Sequence, residues 1–200
     1  MLFNSVEYFI FFPIVFIFYW FVFNKKLKLQ NIFLLFSSYI FYGSWSWKFL
    51  ILLALSTLLD YLYAFGVASE NKNKAKFFLW LSIVNNLGIL FIFKYFNFFS
   101  GEFAIFLNII GIKISPYILN FALPIGISFY TFHGMSYVFD TYNKTRKPIK
   151  DFSNYAVFVS FFPLLVAGPI ERANHLLPQV QTKREFKYLQ ATQGARLILW

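Results

Sequence analysis

The chain has 200 residues, of which 59% are hydrophobic, 24% aromatic and only 13% charged. Soluble domains carry about a quarter charged residues, so this balance excludes an ordinary soluble domain and points to a membrane protein. The formal charge is +10, but the basic residues fall in short clusters between apolar runs, a pattern of cytoplasmic loops that argues against a nucleic-acid partner.

The N-terminus lacks a basic n-region and a small-residue cleavage site, so the first apolar run is read as a retained span. Val6–Phe23 has the length to cross the hydrocarbon core as a helix, with Pro13 as a kink and Tyr19 and Trp20 at its interfacial end. Lys25, Lys26 and Lys28 then mark a short loop. Asn31–Trp47 and Phe49–Ala68 read as the second and third spans, with Asp60 inside the third. A loop with Lys72, Lys74 and Lys76 leads into a fourth span, Phe77–Phe96, which carries Asn85, Asn86 and Lys94. Asn97–Asn120 is apolar but broken by Gly101, Gly111, Lys113 and Pro116, which predicts short helices in or near the interface. Ala122–Asp140 has the length of a fifth span, and Lys144, Arg146, Lys147 and Lys150 follow it.

The basic clusters follow spans one, three and five, which places the N-terminus outside and those loops in the cytoplasm. Tyr155–Ile170 is short and interrupted by Pro163, Gly168 and Pro169, and further basic residues follow it. A full crossing would put those outside, so this run is expected to be re-entrant and to line a cavity. Gln190–Trp200 begins a helix with no cap or flanking loop, from which the 200 residues are expected to be the N-terminal part of a longer protein.

Ionisable residues within spans are costly and are functional candidates. Asp60 is the clearest; the alternative is a structural hydrogen bond or ion pair to a neighbouring span, with Lys94 or a backbone amide as partner. On the fifth span, helical spacing places Phe129, His133, Ser136, Tyr137 and Asp140 on one face. That face lines a polar pocket or relays a proton; interhelical hydrogen bonding is the structural alternative. Glu171, Arg172 and His175 follow the Gly168–Pro169 break. Glu171 and Arg172 form either an exposed pair of small energetic consequence or a site for an anionic head group or a partner at the cytoplasmic mouth. With no cysteine and no His/Asp/Glu cluster at ligand spacing, no metal site is expected. Phosphate-binding, dinucleotide and hydrolase motifs are also missing.

The strings PIGISFYTFHGMSYVFDTY (Pro124–Tyr142), FVSFFPLLVAGPIERANHLLPQ (Phe158–Gln179) and KYFNFF (Lys94–Phe99) resemble the membrane-bound O-acyltransferase family. The likeness is greatest to its bacterial branch that includes alginate O-acetyltransferases, and MLFNSVEYFIFF and the LDY at Leu59–Tyr61 extend it over nearly the whole chain. The resemblance implies an all-α polytopic fold, a ring of tilted helices around a tunnel, of which this is the N-terminal portion in a bacterial inner membrane. It implies O-acyl transfer, with no cofactor but with an acyl donor, acetyl-CoA or an acyl carrier, on the cytoplasmic side. The acceptor is a hydroxyl of an exported polysaccharide such as alginate, or an accepting partner protein, beyond the membrane. D-alanyl transfer to a teichoic-acid-like polymer belongs to the same architecture. The family's essential histidine lies in a WHG motif, which this sequence lacks; neither His133 nor His175 matches it. No catalytic residue is therefore carried onto this chain, and the 200 residues alone are expected to be inactive. A transporter or channel, and a noncatalytic scaffold, remain as alternatives from other classes.

Overall fold

The computed structural model describes residues 3–120, 122–166, 168–169 and 171–199. It is mostly helical, 73% of the chain, with no sheet among the described residues. Ser5 caps α1 (Val6–Ile17), its hydroxyl accepting from the Tyr8 N–H at 3.3 Å, and α1 runs on through a π-helical turn at Phe18–Val22. α2 (Leu27–Gly43) and α3 (Trp47–Val67) follow, each shifted a few residues toward the N-terminus from the range the apolar pattern predicts. α4 (Lys72–Leu90) begins at Asn71, whose side chain accepts from the N–H groups of Asn73 and Lys74.

The region after α4 differs from expectation. A π-helical turn at Phe91–Tyr95 joins α4 directly to α5 (Phe96–Ile109), giving one apolar helix of 38 residues. Gly101 does not break it. Residues 112–120 then run back along α5 without helix, held by side-chain hydrogen bonds in place of short interfacial helices. Asn97 exchanges two bonds with the Leu119 backbone at 2.9 and 2.8 Å, and the Ser100 hydroxyl donates to the Tyr117 carbonyl at 2.7 Å. The 38-residue helix and Trp47–Val67 are each long and apolar enough to cross a membrane.

α6 (Ile127–Tyr142) starts at Gly126, whose φ of 73° is the left-handed conformation that glycine adopts without strain. A Cβ there would also collide with the Leu165 carbonyl. Asp151 caps α7 (Phe152–Ser160), accepting from the Ser153 N–H at 2.8 Å and hydroxyl at 2.6 Å. The chain breaks at Phe161 into α8 (Phe162–Leu165), then α9 (Ala173–Gln181), an unpredicted helix, and α10 (Tyr188–Leu199). Ala167 and Ile170, in the run expected to be re-entrant, and Trp200, at the end of the expected final helix, lie outside the described residues.

α7 is the hub. Every residue from Tyr155 to Ser160 is buried, as a helix apolar on all sides requires. On one side it packs with α3 and α6 through Tyr137, Tyr155, Phe158 and Leu53; on the other it packs with α2 and α9 through Val157, Leu34 and Val180. The outward faces of α1, α3 and α5 instead expose Phe9, Ile14, Phe21, Leu55, Leu62, Phe103 and Phe106. So much exposed apolar surface is what a lipid-facing bundle presents.

Candidate functional site

Three polar assemblies sit in this apolar frame. The first is built on Asp60, which is 1% exposed. Its Oδ1 accepts from the Ser82 hydroxyl at 2.9 Å and from the Asn86 amide at 2.8 Å, both on α4. The ion pair with Lys94 considered from sequence is not formed: Lys94 Nζ instead lies 3.5 Å from the Ser128 hydroxyl. Gly134 of α6 closes the other side, where a Cβ would overlap Asp60 Oδ2. One carboxylate thus ties α3 to α4 and sets how closely α6 approaches. Ser82 and Asn86 carried a signal, polar residues one helical turn apart within an apolar run, but nothing local identified Asp60 as their partner.

The second assembly lies between α6 and the segment entering α9. His133 is 1% exposed; its Nε2 accepts from the Glu171 backbone N–H at 3.0 Å, which places the ring proton on Nδ1. The ring packs against Phe158 at 5.4 Å and also feels the Val159 carbonyl, although Nδ1 makes no well-formed hydrogen bond. Tyr137, fully buried, accepts from the Ile149 N–H at 2.8 Å, pinning the basic loop after α6, and its ring packs against Tyr155 at 4.6 Å, tilted by 39°.

The face drawn from helical spacing is therefore rotated. His133 and Tyr137 are buried, whereas Phe129, Ser136 and Asp140 are only half-buried. The buried stripe runs through Tyr130, Gly134, Tyr137, Val138 and Thr141. Close approach at Gly134, not the polar residues, sets its centre. Ser136 donates back to the His133 carbonyl at 2.9 Å. Asp140 faces Arg146 without an ion pair. Glu171 does not pair with Arg172; its Oε2 meets His175 Nδ1 at 2.6 Å across the start of α9.

The third assembly was not anticipated. Arg184 donates to the Tyr19 hydroxyl, to Asn31 Oδ1, and to the carbonyls of Val180 at 2.8 Å and Gln179 at 3.1 Å. Asn31 Nδ2 donates to Val180 O at 2.9 Å and to Asn154 Oδ1 at 2.7 Å. The start of α7 and the end of α9 therefore meet at one residue, and the run between them is a hairpin. Its interior reaches Gly126, through Leu165, and His133, through Glu171.

Among the described residues no three His, Cys, Asp or Glu side chains come together to hold a metal. No protein-family profile matches the chain, and no solved structure does. Curated proteins do match. The probable alginate O-acetylase AlgI of Pseudomonas aeruginosa is 36% identical over 155 residues, covering 76% of this chain and 29% of that protein. The protein of that name from Azotobacter vinelandii is 35% identical over 155 residues, 76% of this chain and 31% of its own length. The peptidoglycan O-acetyltransferase of Helicobacter pylori is 31% identical over 211 aligned positions, 92% of this chain and 39% of that protein. Over most of its length the chain is homologous to the polysaccharide O-acetylases of the membrane-bound O-acyltransferase family. The resemblance carried by Pro124–Tyr142 and Phe158–Gln179 is upheld. The chain spans about a third of the length of the curated relatives it matches. Homology to this family and the two long apolar helices make it a membrane-associated chain.

Proposed function

We propose that this chain is part of a multi-pass inner-membrane O-acyltransferase that moves an acetyl-like group from a cytoplasmic-side donor to hydroxyls of an exported polysaccharide or envelope glycan. The observation that carries this reading is the homology to proteins named for O-acetylation of alginate and peptidoglycan. The donor is acetyl-CoA or an acyl carrier, and the acceptor is a glycan or an acyl-accepting partner beyond the membrane.

The geometry supports a division of labour. The hairpin of α7–α9 enters the bilayer from the side of the basic loops and returns there. Broken backbone at membrane depth needs protein or an aqueous cavity around it, and here α6 supplies the protein wall. Asp60 and Tyr137 hold that wall, and His133 fixes the turn of the hairpin through the Glu171 N–H. Phe129, Ser136 and Asp140, half-buried on α6, are candidates to line a passage beside it. Glu171, Arg172 and His175 stand at the entry to α9 as candidates for the passage mouth. Transfer to an alcohol needs a general base, because a hydroxyl is a poor nucleophile at neutral pH, and needs water kept from the acyl group. His133 is not that base, since its Nε2 is already engaged as an acceptor.

The test deletes the gene that encodes this chain and measures base-labile acetate on the host's exported glycan. Loss of acetate, restored by the gene in trans, is the expected result. Unchanged acetylation together with altered uptake of a solute would overturn the reading in favour of transport.

A further inference from the structure

A cavity of about 290 Å³ lies between the end of α1 and the α7–α9 hairpin. Its walls are mostly apolar, Phe12, Phe16, Leu34, Phe162 and Leu176 among them. Trp20 and Arg184 belong to these walls and also to an adjoining recess of about 340 Å³, where Asn24, Lys25, Lys183, Glu185 and Phe186 join them. The two spaces therefore adjoin at Trp20 and Arg184, an apolar cavity beside a basic recess.

The basic end is built rather than accidental. Arg184 is fixed by four acceptors, and all four are neutral: a tyrosine hydroxyl, an asparagine amide oxygen and two backbone carbonyls. Its guanidinium also sits 5.5 Å from the centre of the Tyr19 ring. Among the described residues no carboxylate lies within ion-pair distance of it, Glu185 included. The position of the cation is set while its charge stays uncompensated. Phe186 straps the segment carrying Lys183 and Arg184 to the end of α1, packing on Trp20 at 5.6 Å and Phe21 at 5.4 Å. Three cations against one carboxylate favour an anion. Outward from the cavity, Ile14, Ile17, Phe18 and Phe21 are exposed on the same helical run, so its surroundings are apolar surface of the kind that faces lipid.

We propose that this site holds one anionic phospholipid of the cytoplasmic leaflet, an acyl chain in the apolar cavity and the phosphate on Arg184, Lys183 and Lys25. The cavity is near the lower limit of ligand pockets, about 300 Å³, and takes one chain with the second left in the bilayer. Each juxtamembrane cation near an anionic surface strengthens binding about fivefold.

The test is native mass spectrometry of the full chain released from micelles, with phosphatidylglycerol or phosphatidylcholine added at equal concentration. One phosphatidylglycerol is expected to be retained in preference to phosphatidylcholine. Arg184→Gln keeps hydrogen-bonding capacity and loses the charge, and Leu176→Trp fills the cavity; each should weaken retention at least about fivefold. Because Arg184 also ties α1 to α9, the Lys25→Gln/Lys183→Gln pair serves as the variant that leaves those bonds intact. Lys72→Gln/Lys74→Gln, at another basic loop, should change nothing. Equal retention of the two lipids, or insensitivity to Leu176→Trp and the Lys25/Lys183 pair, would overturn the proposal. Displacement of the lipid by coenzyme A, with no requirement for an acyl chain, would reassign the basic end to a soluble phosphate ligand.

Discussion

His133 is a buried titratable residue that holds backbone. Its Nε2 accepts the Glu171 N–H at 3.0 Å, a role that a glutamine carbonyl can also fill. His133→Gln is expected to lower acyl transfer in the host less than tenfold, whereas loss of a general base costs about 10²–10⁴-fold. A loss in that larger range at normal membrane abundance would make His133 the base after all. Asp151, outside the spans, gives a pH prediction. The Ser153 hydroxyl holds its carboxyl below the usual range against the opposing effect of burial, and the Ser153 N–H and Lys28 add to the lowering. A depressed folded pKa means the stabilisation is complete above the unfolded value, about 3.9, and is lost as pH falls through the folded one. Asp151→Ala should therefore cost about 1 kcal/mol at pH 7, as loss of an N-cap does, and progressively less in acid. Thermal unfolding of both forms in detergent across pH 3–7 would measure this; a cost independent of pH would contradict it.

Between elements, the contact of α3 with α6 rests on the missing side chain of Gly134. Gly134→Ala would push a methyl into the Asp60 carboxylate, and overpacking of this kind costs about 1–3 kcal/mol. Gly88, with nothing within 4 Å of its Cβ position, supplies a neutral comparison. Melting temperature in detergent should fall for Gly134→Ala and not for Gly88→Ala. Combining Gly134→Ala with Asp60→Ala should cost less than the two separately, since the clash is gone. Strict additivity would show that the two residues are not in contact. Hydrogen bonds between membrane helices average roughly 0.6 kcal/mol, so losing Ser82 or Asn86 alone should matter less than the clash.

On the scale of the molecule, the basic segments that follow α1, α6 and α9 gather at one end. Asp151 feels Lys28, the Tyr61 hydroxyl donates to the Lys150 carbonyl at 2.6 Å, and Arg184 reaches Tyr19 and Asn31. With that end in the cytoplasm, reporters fused near Lys147 and near Lys183 should show the same sidedness. Single cysteines near Lys25, Lys72 and Arg146 should resist an impermeant thiol reagent in cells whose outer membrane has been permeabilised. Strong labelling at Arg146, or opposite sidedness of the two fusions, would invert or break this topology.

Hydropathy along the chain was enough to locate apolar helices from Val6 onward and the basic clusters between them, because both depend on neighbours in sequence. The strings at Pro124–Tyr142 and Phe158–Gln179 were enough for the family. Gly101 misled, since a glycine costs a helix only about 1 kcal/mol and the flanking apolar residues outweigh it. α9 was hidden by its short length and by Pro178, although Ala173, Leu177 and Val180 form its buried stripe. Partnerships were beyond reach. Ser82 and Asn86 find Asp60 across 22 and 26 residues, and Arg184 finds Tyr19 across 165. Burial requires each polar group to have a partner, but does not name it. The rotation of α6, set by one close approach at Gly134, and the return of the hairpin to Asn31 decide which groups meet.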